Sequence, residues 1–279
     1  SGAEIPKVTK RTFPPPLDAF ILDDIVSASE CEALIKCAEG AGYSFWNAAV
    51  STATFRNSDT VEIHSAAVAD ELWRRCAHLV VPTVVVEQGH PLWEPGLEGT
   101  WKACGVNDHL LFNKYEPGGH FSPHTDGASI VDMNRRSLYS MLVYLNRCPD
   151  GGGTALFSPP EGTSMGKFVV DPALGVYRWP EEWQTGVAPV EPGTALVFRQ
   201  DTSHEGVPVG PGNLKIIIRT DVMYERVPPV FIDDVGKQAY DLHREAQSAE
   251  GEGDHMTAMK LYRHCRRLCP EYADFVGMA

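Results

Sequence analysis

HLLFNKYEPGGHFSPHTDGAS, residues 109–129, decides how this chain is read. An apolar run suited to a strand meets a Pro-Gly-Gly turn, and the polar run that follows ends in two histidines and an aspartate. Glycine and proline keep such a segment out of a helix. In an extended chain residues i and i+2 project to one face, so His124 and Asp126 converge while Thr125 turns away. A lone His-x-Asp is common in solvated turns. What lifts this one is His204 in FRQDTSHEGVPVG, just after the apolar run GTALVF. Two imidazoles and one carboxylate on a β scaffold make the facial set that holds Fe(II) and leaves positions open for chemistry. His120 reads as a loop residue near the site, because a fourth protein ligand would fill one of those positions.

Outward from this stretch the texture is repetitive. From about residue 108 the runs HLLFNKY, SLYSMLVYLN, GTALF, KFVV, TALVFR and LKIIIRTDVMY alternate with Gly, Pro, Asn and Asp, which indicates an antiparallel sandwich or barrel. Upstream, LDAFILDDIV (17–26) reads as a strand with turn-forming acids, and SASECEALIKCAEGAGY as a helix with Ser27 or Ser29 as N-cap, stopped by Gly40 and Gly42. A second helix is expected over 65–86, interrupted at Pro82. After Pro228-Pro229, Ala239, Leu242, Ala246 and Ala249, then Ala258, Leu261, Cys265 and Leu268, give two helical stripes around the turn EGEGDH. This unit resembles one tetratricopeptide-like helical hairpin, which cannot bury its own face and so packs on the main domain or contacts a partner. The expected organisation is an extension over 1–16, whose Ser-Gly start reads as a tag scar, a main domain over 17–230 and a C-terminal hairpin over 231–279. Within the main domain, 17–107 supplies helices and strands and 108–227 the β core.

Composition narrows the class. A chain of 279 residues, 43% of them hydrophobic, can bury a large core. A formal charge of -13 repels phosphate backbones and anionic bilayers, so neither nucleic acid nor membrane is an expected partner. No stretch approaches the roughly 20 apolar residues of a membrane span. Seven scattered cysteines without a C-x-x-C pair, and no N-x-[ST] sequon, fit reduced thiols in an intracellular, cytoplasmic setting. Cys265 and Cys269 beside His264 could share a helix face with a metal, but small buried thiols are the commoner case.

LKIIIRTDVMY sharpens the chemistry. Lys215 and Arg219 stand among isoleucines 11 and 15 residues after His204. A cation on an apolar strand is costly to bury without an anion, which a dicarboxylate cosubstrate would supply.

Taken together, HTD at 124–126, LVYLN at 142–146, GGGTALF at 151–157, PGTALVF at 192–198, HEG at 204–206 and the Lys215-to-Tyr224 stretch resemble the 2-oxoglutarate- and Fe(II)-dependent dioxygenases, in their prolyl-4-hydroxylase-like branch. The resemblance covers roughly 17–227 and is strongest over 108–224. It implies a mainly β protein with flanking helices, built on a double-stranded β-helix, or jelly roll. His124, Asp126 and His204 match the ligands of Fe(II). Lys215 matches the base that pairs with the far carboxylate of 2-oxoglutarate, with Arg219 as competitor. Tyr115 and Tyr144 match positions that contact the cosubstrate through their hydroxyls; otherwise they are core aromatics. The implied reaction couples oxidative decarboxylation of 2-oxoglutarate by O2, yielding succinate and CO2, to hydroxylation of a C–H bond, with ascorbate as an accessory reductant. The carboxylate at Asp126 favours hydroxylation over halogenation. The implied substrate is a prolyl residue of a protein or peptide, with oxidation of a small molecule, a catalytically silent binding module and a zinc hydrolase as alternatives. The segment 158–186, with Tyr177, Trp179 and Trp183, frames the mouth as a lid or groove, or packs as a hairpin on the barrel. Arg56 and the pair Arg135-Arg136 are candidate substrate contacts.

Overall fold

The structure is a computed structural model that describes residues 7–46, 53–160, 163, 168–172 and 175–278. The Ser-Gly start and part of the 158–186 segment lie outside the described residues. The chain forms two compact units: Ser1–Val80, Gly105–Ala128 and Ser137–Met223 make the first, and Val81–Cys104, Ser129–Arg136 and Tyr224–Ala279 the second.

The first unit is a jelly roll of two antiparallel sheets. The larger runs Thr9–Thr12, Ala19–Asp23, Ala195–Arg199, Arg135–Tyr144, Lys215–Arg226, His109–Tyr115, Asp59–His64 and Ser44–Phe45 in spatial order. The smaller runs Gln184–Ala188, Thr154–Phe157, Ser203–Gly206, His120–His124 and Arg56–Asn57. Period-two alternation sorts the side chains. Tyr115, Leu142, Tyr144, Leu156, Leu196, Phe198 and Ile217 meet between the sheets in one buried cluster. Burial on this scale stabilises by about 1.5–3 kcal/mol for each large apolar side chain. On the other face of the larger sheet, Val143 and Ile218 share a groove with Leu34 and Leu72 of two helices, α1 (Ala28–Ala41) and α2 (Ala66–Cys76).

Local chemistry fixes where these helices begin. Of the two serines, Ser27 is the cap of α1: its hydroxyl accepts from the Glu30 amide while the Glu30 carboxylate accepts from the Ser27 amide. Glu30 also pairs with Arg75 of α2 at 2.6 Å. Gly40 lies inside α1, and Gly42, with φ of 88°, ends it. The helix expected over 65–86 stops at Cys76, and Thr83–Val86 is instead a strand. Pro82 cannot donate to a helix, and the β-branched run after it favours extended backbone.

In the second unit Thr83–Val86 pairs with Gly99–Val106, placing Val84 opposite Trp101. The helical pair is present as α3 (Asp234–Gly251) and α4 (His255–Leu268), followed by a short α5 (Pro270–Phe275) that the sequence pattern does not reveal. Ala239, Ala246, Ala258 and Cys265 are buried in this pair, as expected from their spacing. Cys265 and Cys269 sit in an apolar cluster with Ala239 and Tyr272, so they are packing thiols and not metal ligands. Among the described residues no helix is long and apolar enough to cross a membrane.

One turn ties the sheets' scaffold together. Gly193 of PGTALVF has φ of 80°; its amide donates to Tyr144 O at 2.9 Å and its carbonyl accepts from Ile25 N at 2.8 Å. A Cβ there would stand 2.2 Å from the Val26 carbonyl oxygen. Gly193→Ala is therefore expected to cost about 2 kcal/mol or more, lowering the thermal midpoint by roughly 5 °C. A melt of the variant that overlays the parent would contradict this account of the turn.

Candidate metal centre

The smaller sheet brings two of the histidines together. Ser203–Gly206 pairs with His120–His124 so that His204 lies opposite His124, and the register then slips before Gly206 meets Phe121. Such bulges re-aim side chains beside active sites. The strand ends at His124, so Asp126 is not placed by strand alternation as the sequence implies. Its amide instead donates to Gln200 O at 3.1 Å, and Ser140 Oγ donates to its Oδ2 at 2.6 Å.

Each imidazole is locked by its own backbone. His124 Nδ1 faces Ser122 O at 2.8 Å and His204 Nδ1 faces Thr202 O at 3.0 Å. A carbonyl accepts only from N–H, so both Nδ1 atoms carry the proton and both Nε2 lone pairs are free for a metal. His124 Nε2 is 3.7 Å from Asp126 Oδ1, and His204 Nε2 is 3.8 Å from Asp126 Oδ2. The donor atoms of all three residues lie within 4.8 Å of one another. Phe121 stacks on the His124 ring at 3.6 Å and Phe198 lies 4.5 Å from that of His204. Burial, then the neighbouring His204, pushes the His124 imidazolium pKa down to about 3, so the ring is a neutral ligand at ordinary pH. Burial opposes ionisation of Asp126, yet His204, Arg219, His124 and Ser140 together hold its pKa below the usual value. Two neutral imidazoles and an ionised carboxylate converging on one point fit Fe(II).

The triad opens into a cavity of about 310 Å³ between the two sheets. Its floor is one face of two paired strands, where Lys215 lies opposite Tyr115, Ile217 opposite Asn113 and Arg219 opposite Leu111. Lys215 is 2% exposed, and its ammonium has no carboxylate partner among the described residues. It lies 5.1 Å from the Tyr115 ring centre, and burial lowers its pKa to about 8 with only Cys148 opposing. Arg219 differs: it pairs with buried Asp221 at 3.2 Å, donates to Gly127 O at 3.1 Å and stands 4.0 Å from Asp126.

The remaining sequence candidates divide. Tyr115 lines the cavity; Tyr144 does not, and its hydroxyl donates to Thr154 Oγ1 at 2.8 Å. Arg56 does line it, buried, with Nε on Ser58 Oγ at 3.0 Å, a second donor on Asn113 Oδ1, and its guanidinium between the rings of Trp46 and Phe121. Arg135 and Arg136 do not line it, and Arg136 pairs with Glu94 at 2.8 Å. His120 has both ring nitrogens at backbone carbonyls, of Gly118 and Thr54, and is no ligand. Among the described residues nothing from 158–186 lines the cavity. Trp179 is buried behind the smaller sheet with Ala155 and Phe157, its indole donating to Ser203 Oγ at 2.7 Å, so this part is a packed hairpin. Sequence reasoning missed Thr154, Asn113, Phe121 and Ser140. A serine alternating with apolar residues in SLYSMLVY is the only signal that could have found Ser140.

Residues 110–220 match the model of the 2OG-Fe(II) oxygenase superfamily. No curated protein sequence matches the chain. Among solved structures it is similar to a Pseudomonas putida prolyl-4-hydroxylase, at 17% identity over 76% of this chain and 94% of that one, with a TM-score of 0.45. It is also similar to a collagen prolyl hydroxylase of Paramecium Bursaria Chlorella virus-1, at 18% over 74% and 95%, with a TM-score of 0.40. A third is a Trichoplax adhaerens prolyl hydroxylase in complex with a hypoxia inducible factor peptide fragment, at 15% over 76% and 84%, with a TM-score of 0.43.

The Ser140 hydroxyl holds one oxygen of Asp126 and is itself fully buried. Ser140→Ala should weaken iron binding about 10- to 100-fold with the fold intact. Metal titration beside a circular dichroism spectrum measures both; unchanged affinity would show that the loop alone orients Asp126.

Proposed function

We propose, from the match of residues 110–220 to the 2OG-Fe(II) oxygenase superfamily and from the geometry of the metal centre, that this protein hydroxylates a C–H bond of a prolyl residue in a protein or peptide. The observation that carries the prolyl reading is an aromatic cluster, of which Phe121 lines the cavity. Phe121 stacks on His124, Phe55 meets Phe121 edge-on at 5.4 Å and is 40% exposed, and Trp46 lies 6.4 Å from Phe121. Pyrrolidine rings pack on aromatic faces, and proline-rich segments dock in aromatic-lined grooves with little conformational entropy to lose. The cavity, at about 310 Å³, is at the small end of ligand pockets. Once the cosubstrate is inside, the remaining space suits one side chain of a longer chain better than a free metabolite.

Each residue of the site then has a task. His124, Asp126 and His204 would hold Fe(II), which with 2-oxoglutarate and O2 supplies the decarboxylation to succinate and CO2 and the oxygen atom for the substrate. Lys215 is the anchor of the far carboxylate of 2-oxoglutarate, since among the described residues its charged group has neither an anion nor a hydrogen-bond acceptor, whereas Asp221 already neutralises Arg219 and Ser58 and Asn113 accept from Arg56. Tyr115, opposite Lys215, and Thr154, lining the same cavity, offer hydroxyls to that carboxylate. Arg219, beside Asp126, helps keep it ionised. Arg56, wedged between Trp46 and Phe121, stiffens the cluster against which the prolyl ring would lie.

Succinate release from 2-oxoglutarate by iron-loaded protein, and gain of one oxygen atom by proline-rich peptides in mass spectra, test the proposal. Asp126→Ala should abolish both. Oxygen gain on a small molecule but on no peptide would refute the prolyl reading alone.

Lys215→Ala should lower kcat/KM for 2-oxoglutarate by about 2–4 kcal/mol, on the order of 30- to 1,000-fold. The pH dependence has a definite sign. An unfolded lysine titrates near about 10.4, whereas Lys215 titrates at about 8. Between these values the unfolded chain binds the extra proton, so the stability of the cosubstrate-free protein rises with pH. Cosubstrate binding needs the ammonium, so KM for 2-oxoglutarate should climb above pH about 8. In Lys215→Arg, which stays charged, that climb should vanish; a climb of equal size in both proteins would assign it elsewhere.

A further inference from the structure

Beyond Leu111, the face of the sheet that lines the cavity continues outward to a second cluster of metal-ligating side chains. Asp59–His64 and His109–Tyr115 are paired in an unbroken antiparallel register in which Glu62 lies opposite Leu111 and His64 opposite His109. With period two along each strand, Glu62, His64 and His109 share one face with Leu111, Asn113 and Tyr115, three residues that line the cavity. His109 is two residues, roughly 7 Å, beyond Leu111 on that face.

The three side chains are exposed, and their donor atoms lie within 4.8 Å of one another. The two imidazole centres are 3.8 Å apart, and His109 Nδ1 meets Glu62 Oε1 at 2.9 Å. Their backbones are fixed: six consecutive cross-strand pairs hold the register, and Ser65 N donates to Asp108 O at 2.9 Å just beyond it. Donors bound to zinc at about 2.0–2.2 Å in tetrahedral geometry stand roughly 3.3 Å apart, so exposed side chains need to close by about 1.5 Å at most.

We infer that Glu62, His64 and His109 form a zinc site at the rim of the catalytic cavity, with its fourth position open to water. Two imidazoles and one carboxylate are a tetrahedral donor set with one vacancy, which zinc takes. The donors come from two adjacent strands, so the ion clips the pair whose far end carries Asn113 and Tyr115. None of the three lines the cavity, so the clip is separable from turnover.

The test is equilibrium dialysis of the full chain against Zn²⁺ with metal analysis, because the two imidazoles and carboxylate of the His124–Asp126–His204 centre also suit zinc. The expected uptake is two equivalents for the parent, one for His64→Ala/His109→Ala and one for Asp126→Ala/His204→Ala. The one equivalent kept by the first double variant, with its succinate release, shows that it folds. Glu62→Gln, altering one exposed carboxylate, should lose the second equivalent on dilution before the first. Uptake of a single equivalent by the parent, or of two by His64→Ala/His109→Ala, would overturn the inference.

Discussion

The pairing of His204 with His124 across two neighbouring strands is the constraint on which the site depends. A metal centre needs its lone pairs aimed before the metal arrives, since any freedom left in the ligands is lost on binding. Here the aiming is done by main chain. Each Nδ1 is satisfied by a carbonyl two residues earlier, which fixes ring and tautomer together, and the sheet's register fixes the distance between the rings. The third ligand has no such strand. Asp126 follows the strand's end, so its position depends on Gln200 and its carboxylate on Ser140, residues distant in sequence that the fold brings beside it.

The same sheets impose an electrostatic order on the cavity. Among the described residues three cations line it, and their surroundings separate their roles. Arg219 is matched by Asp221 and steadies Asp126; Arg56 is held by Ser58, Asn113 and two aromatic faces. Among the described residues Lys215 has neither an anion nor a hydrogen-bond acceptor for its charge, and a buried ammonium in that condition destabilises the empty protein. A dianion bound beside Lys215 would remove the penalty, so part of its binding energy would be relief of a cost carried by the fold.

How much of this was legible beforehand follows from the range of the interactions. His124, His204, Lys215 and Arg219 were readable as candidates because strand alternation and spacing are local properties, Asp126 because it stands two residues from His124 although it lies past the strand's end, and the motif order carried the jelly roll. The capping serine and the alanine stripes of α3 and α4 were readable for the same reason. Ser140, Thr154 and Asn113 were not, because what brings them to the site is a neighbour in another strand. The segment 65–86 misled because an apolar run without clear period suits helix or strand, and the β-branched residues after Pro82 decided it. Tyr144 shows the opposite limit: its motif points to the cosubstrate, yet its hydroxyl is spent on Thr154, so any influence on the ligand passes through that threonine.

The C-terminal helices follow a general packing rule. A single helical hairpin exposes the face that a next repeat would cover. In this chain α5 and Phe231 supply the cover: Tyr272 packs edge-on against Phe231 at 5.3 Å, and its hydroxyl meets His243 Nδ1 of α3 at 2.8 Å. The small residues on the facing sides of α3 and α4 let the helices approach closely, and the large aromatics close the groove beside them. The hairpin therefore needs no second repeat to bury its inner face. What it leaves outward on α4, Met256 and Met259, is a pair of flexible thioethers at 62% and 45% exposure, too small to demand a partner by hydrophobicity alone.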